Sequence, residues 1–188
     1  MLKLFEKITQ ENPSWDRRFR IEHAQHVRFE DIQAFAKLGV VASVQPYHCI
    51  DDGVWAAKRI GDRVNYTHPY KSFLEAGVKL CMGSDWSVAP LNAMLGIYAA
   101  VTRQTVDGAN PMGWIPKQKI SVQEAIKSYT INNAYAAFEE KIKGSIEVGK
   151  LADLVVLSED ILAIQPEKIK NVQVLMTIFD GKIVFERK

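Results

Sequence analysis

The sequence predicts an α/β fold, a parallel sheet built from strand–helix units followed by a smaller antiparallel segment. Short apolar stretches at residues 19–23, 40–46 and 78–82 alternate with segments of helical periodicity. The run Val40-Val41-Ala42-Ser43-Val44 is rich in β-branched residues, which suits a strand covered on both faces. Strands that alternate with helices imply right-handed crossovers and parallel pairing. After Gly144 the texture changes to closely spaced strands, with Asp180-Gly181 as a hairpin turn.

Composition fits an ordered chain with a core: 188 residues, 47% apolar and 24% charged. The net charge is +2 and the basic residues are scattered, so neither nucleic acid nor an anionic membrane is indicated as a partner. No apolar run reaches membrane-spanning length, and the N-terminus lacks a signal peptide's apolar core. Cys49 and Cys81 lack the spacing of a zinc or redox pair, and Cys81 reads as a buried thiol. Cytoplasmic location is the expectation.

In chain order, residues 1–11 read as a helix with Leu4, Phe5 and Ile8 on one face, stopped by Asn12-Pro13-Ser14. The strand at 19–23 ends on His23, followed by Ala24-Gln25-His26. Residues 30–38 form a helix closed by Gly39. The strand at 40–46 runs into Tyr47-His48-Cys49. Residues 49–66, with Asp51, Asp52, Trp55 and Arg59, read as a long loop of the kind that forms lids or binding loops. A helix at 70–76 leads to the strand at 78–82 and then to Gly83-Ser84-Asp85-Trp86. A helix follows from near Leu91 to Arg103, then a Gly/Pro-rich loop carrying Trp114. Ser121-Val122-Gln123-Glu124 is a capping box that opens a helix to about Phe138. Glu139-Glu140-Lys141 reads as its solvated end.

The C-terminal ends of strands in α/β folds collect functional groups. Three successive strands here end in His23, in Gln45 with His48, and in Asp85, and parallel pairing brings those ends to one face. Imidazole and carboxylate are ligands for zinc and similar divalent ions. Each residue also has a plainer reading: Asp85 as a turn or helix-capping aspartate, His23 as a structural hydrogen-bonder, His26 and His48 as structural or substrate contacts. Trp55, Trp86 and Trp114 line a pocket or anchor loops. One histidine and one aspartate are fewer donors than catalytic zinc takes, and the sequence contains no H-x-H pair.

Four motifs, in order, resemble the late part of an amidohydrolase-superfamily enzyme: Arg20-Ile21-Glu22-His23-Ala24-Gln25, Ser43-Val44-Gln45-Pro46-Tyr47-His48, Gly83-Ser84-Asp85-Trp86-Ser87-Val88, and the run from Gly144 to Leu157. The resemblance covers nearly the whole chain and is strongest to amidohydrolase family 3, whose members include N-substituted formamide deformylases. It implies a (β/α)8 TIM-type barrel with a small β-sandwich. Residues 1–143 would hold barrel strands six to eight with their helices, and residues 144–188 the returning sandwich segment. It implies that His23 and Asp85 bind a divalent metal, zinc in the first instance, and act in catalysis. Gln45, His48 and Trp86 are left as substrate contacts.

The family's first-strand H-x-H pair, its bridging lysine or glutamate and its fifth-strand histidine have no counterpart here. The chain therefore reads as a C-terminal fragment of a longer enzyme. That enzyme would hydrolyse non-peptide C–N bonds of a small amide, formamide or cyclic amide through metal-activated water. The metal is expected in the full-length enzyme, with the fragment able to lack it, and the fragment alone is expected to be inactive and to self-associate through exposed barrel surfaces. The rival expectation is a non-catalytic α/β interaction or assembly module derived from the same fold.

Overall fold

The computed structural model describes residues 1–13 and 15–188 and shows a mixed α/β fold with two small sheets. Ser14, part of the expected helix stop, lies outside the described residues. The first sheet holds β1 (Arg20–Glu22), β2 (Val41–Val44) and β3 (Leu80–Met82) in that order, both pairings parallel. Ile21 sits opposite Ala42, and Ser43 opposite Cys81. In-register parallel pairing puts the C-terminal ends of all three strands on one side, as the strand–helix alternation requires.

Helices connect the strands as the periodicity predicts. Helix α1 (Leu2–Glu11) precedes β1, and α2 (Phe29–Lys37) links β1 to β2. The span 49–66 differs from the expected loop. It folds into the end of α3 (Pro46–Asp52), then α4 (Ala56–Ile60) and a 3-10 turn at Gly61–Tyr66. Pro46 occupies the first turn of α3, where its missing N–H costs no hydrogen bond. Short helices broken by Gly53 and Gly61 carry too little periodicity to be read from sequence. Helix α5 (Tyr70–Glu75) leads to β3.

Helix α6 (Ala93–Thr102) begins two residues later than Leu91, because the Asn92 side chain accepts from the Met94 N–H at 2.9 Å and fixes the start. It is apolar all round and buried at most positions, between α3 on one side and the 3-10 turn Pro166–Asn171 on another. Ile169 and Val172 are thereby built into the main core with Ile97, Tyr98 and Val101. Gly96 is required where α6 meets the next helix: a Cβ there would lie 1.8 Å from the Tyr129 hydroxyl.

The predicted capping box forms, with Ser121 accepting from Glu124 N–H and the Glu124 carboxylate accepting from Ser121 N–H. The helix it opens does not run unbroken to Phe138. It divides at Thr130 into α7 (Val122–Tyr129) and α8 (Ile131–Ala136). The second sheet is antiparallel, β4 (Leu154–Leu157), β5 (Val174–Phe179) and β6 (Lys182–Glu186), with the last two joined at Asp180-Gly181. No helix among the described residues is long and apolar enough to cross a membrane.

Glu140 is not simply a solvated helix end. Its carboxylate takes two hydrogen bonds from the Arg18 guanidinium, at 2.8 and 2.9 Å. Arg18 also stacks over the rings of Tyr135 at 3.9 Å and Phe138 at 4.2 Å. This clamp joins the segment before β1 to the end of α8 and is invisible in sequence because its members lie more than 100 residues apart. The Arg18 hydrogen bond pulls the Glu140 carboxyl down to about 2 from an ordinary 4.5. A depressed carboxyl favours the fold above its unfolded pKa and loses that contribution as pH falls through the folded one. Glu140→Gln is expected to melt lower than wild type at pH 7, with the gap closing between about pH 4.5 and pH 2. Thermal melts across that range check it.

Candidate metal centre

The centre lies where the parallel strands end. β1 stops at Glu22, and His23 and Ala24 both take left-handed backbone (φ 65° and 38°) in a turn closed by the Ala24 N–H on the Glu22 carbonyl at 2.9 Å. Asp85, three residues past β3, is also left-handed at φ 61°. Such conformations cost energy in residues other than glycine and persist where surrounding contacts fix them; they collect at functional sites. His48 lies in the first turn of α3, directly after β2.

The structure brings His23, His48 and Asp85 together: one ligand atom from each lies within 4.8 Å of the other two. The His48 Nε2 is 3.2 Å from Asp85 Oδ2, and the two imidazole rings are 6.1 Å apart between centroids. The set is open to solvent, with His23 exposed and the other two half-buried. Two imidazole nitrogens and a carboxylate oxygen form a donor set for zinc and similar divalent ions. Donors about 2.0–2.2 Å from one ion lie no more than about 4.4 Å apart, so this set fits with little closure. Three donors is also the number that catalytic zinc commonly takes from protein. Sequence reasoning had counted two, because position 48 follows a proline and nothing in the spacing shows that a helix starts there and turns its imidazole inward.

The other expected residues fall around this set. Gln45 is buried at the start of α3. Trp86 is exposed beside Asp85. His26 is a structural hydrogen-bonder, with Nδ1 2.9 Å from Thr67 Oγ1. Trp114 packs its edge on His68 rather than opening to a pocket. Cys49 and Cys81 are both free and buried, and burial raises each thiol to about 11.

One group was missed. His68 is buried, with Nε2 2.9 Å from Asp52 Oδ2 and Nδ1 accepting from the Tyr70 hydroxyl at 3.0 Å. Burial pushes its pKa down to about 4 despite the Asp52 hydrogen bond, which pulls the other way. Arg103, fully buried, donates to the carbonyls of His68 (3.1 Å) and Trp114. The only sequence signal is Asp52, inside the span read as a loop, with a histidine two residues beyond that span.

The sequence model of the amidohydrolase family matches residues 1–185. The chain belongs to the amidohydrolase family. Protein LONG AFTER FAR-RED 3 of Arabidopsis thaliana is 41% identical to this amidohydrolase chain over 160 residues, which is 84% of the chain and 27% of the plant protein. N-substituted formamide deformylase of Arthrobacter pascens is 30% identical over 189 residues, which is 100% of the chain and 34% of the deformylase. An uncharacterized metal-dependent hydrolase from Pyrococcus horikoshii OT3 superposes with a TM-score of 0.75 at 27% identity, over 88% of the amidohydrolase chain and 32% of the solved one. The chain spans about a third of the length of the curated relatives it matches.

Proposed function

We propose that this chain supplies part of a metal-dependent hydrolase that cleaves a non-peptide C–N bond in a small amide, formamide or cyclic amide. The observation that carries the reading is the convergence of His23, His48 and Asp85 at the ends of parallel strands. By family likeness, β1, β2 and β3 correspond to strands six, seven and eight of a (β/α)8 barrel. Residues 1–143 then make up the barrel part and residues 144–188 the returning sandwich segment.

His23, His48 and Asp85 would hold the ion, zinc being the fit for two imidazoles and a carboxylate. When bound, the ion acidifies a water and polarises a substrate carbonyl. Asp85 accepts the proton of the attacking water on a carboxylate oxygen and returns it to the leaving nitrogen. His23 would act through the ion it helps to hold, which offsets the negative charge that develops on the carbonyl oxygen. Gln45 and Trp86 border the substrate. The amide-type substrate is drawn from the deformylase relative, whose name states its activity.

Among the described residues no strand pairs with the outer edge of β1, and the relatives are about three times as long as this chain. The isolated chain is therefore expected to take up zinc without turning over substrate. The test joins this chain to the N-terminal two thirds of the Arthrobacter pascens deformylase and measures amine release from N-substituted formamides. Release by the fusion, and none by the chain alone, supports the reading.

A second reading, a non-catalytic assembly module, is favoured by the exposed apolar side chains Ile142, Ile146, Val148, Phe179, Val184 and Phe185. Self-association in light scattering together with a silent fusion would point that way.

A further inference from the structure

The two histidines of the centre lie on separate segments, and their relative position depends on what ties those segments together. The turn that carries His23 contains two left-handed residues and is anchored on one side by the sheet. On its other side the anchor is Gln25. The Gln25 carbonyl accepts from the His68 N–H at 2.7 Å, and the Gln25 side-chain amide donates to Asp52 Oδ2. Asp52 ends helix α3, one turn beyond His48. The same Oδ2 takes the His68 Nε2–H, and the Tyr70 hydroxyl donates to the opposite ring nitrogen. His68 is neutral at pH 7 because of its burial, so these two bonds select one tautomer, protonated at Nε2. The Asp52 carboxylate is thereby held from behind and presented to Gln25.

We propose that Gln25 and Asp52 are positioning residues of the centre. Their hydrogen bond fixes the His23 turn against helix α3, and so sets the distance between the imidazoles of His23 and His48. The inference rests on reading His23, His48 and Asp85 as a metal centre. Neither Gln25 nor Asp52 belongs to the set of three donors. A ligand whose orientation is set by outer hydrogen bonds commonly loses about 10–100-fold in metal affinity when they are removed.

The test is cobalt(II) titration of the full chain, read by calorimetry and by the visible absorption of the bound ion, beside thermal melts. Gln25→Met removes the bond with little change in volume. It is expected to bind cobalt about tenfold more weakly and with an altered absorption envelope. Asp52→Asn keeps an oxygen that can accept from both Gln25 and His68 but replaces two hydrogen bonds to a carboxylate with two weaker ones to a neutral amide. It is expected to melt lower than Gln25→Met yet bind cobalt within about threefold of wild type. The reversed order, with the less destabilised variant losing the ion, is what a purely structural role cannot give. Wild-type affinity and spectrum in Gln25→Met, or losses that follow melting temperature in both variants, overturn the inference and leave the metal centre standing. Wild-type chain that takes up no cobalt overturns the metal centre itself, and the inference with it.

Discussion

Asp85→Asn is expected to abolish stoichiometric zinc uptake while leaving the fold intact. Asparagine is the same size as aspartate and, like it, tolerates the left-handed backbone found at φ 61°. It can still hydrogen-bond His48 across 3.2 Å. What it lacks is the negative charge that makes a carboxylate a zinc ligand. Removing hydrogen bonds around a metal ligand already costs about 10–100-fold, so loss of the ligand itself is expected to weaken zinc binding by at least about 100-fold. Elemental analysis after dialysis, with a melting curve beside it, measures both halves. A variant that keeps one zinc per chain removes Asp85 from the centre. A variant that loses zinc and also unfolds early makes Asp85 a structural residue first.

Arg103→Met is expected to give the largest loss of stability. Arg103 is fully buried at the end of α6, where its guanidinium donates to the carbonyls of His68 and Trp114 and lies near the faces of Tyr70 and Trp114. Methionine fills much of the same space and accepts the backbone geometry as well as arginine does, so the cavity is small. The cost comes from the Trp114 carbonyl, left without its donor, and from the His68 carbonyl, which keeps only the Tyr70 N–H. Hydrogen bonds from a charged donor such as these contribute about 1.5–3 kcal/mol each. Against a total stability of roughly 5–15 kcal/mol this is a large share. For a chain of this size it corresponds to a fall in melting temperature of roughly 10 °C or more. Calorimetric melts at pH 7 decide it, and a fall of only a degree or two would mean that the network contributes little.

The parallel strands and the residues at their ends were legible in sequence because burial on both faces leaves an apolar run, and a polar residue after it stands out. His23 and Asp85 were found this way. His48 was found but placed among substrate contacts, because a seven-residue helix starting at a proline has too little periodicity to betray which way its side chains face. The Arg18–Glu140 clamp and the Asp52–His68–Tyr70–Arg103 group were not legible at all. Arg18 and Glu140, like Arg103 and His68, lie far apart in sequence, and only tertiary packing makes them neighbours. The helix opened by Ser121 was read too long because its capping box marks a start, and no glycine or proline marks the break at Thr130.

The left-handed backbone at His23 and Asp85 bears on how such positions vary over time. Outside glycine, the residue types that tolerate this geometry best are asparagine, aspartate and histidine. Two of those three are metal donors. A descendant that no longer bound an ion would still be steered by its chain geometry toward the same short menu at these two places, so donors could outlast the chemistry. Position 48 is different. Its backbone is helical and accepts nearly any side chain, so nothing but the centre itself calls for an imidazole there. Among relatives of this chain, the identity of residue 48 is the more telling mark of a working site.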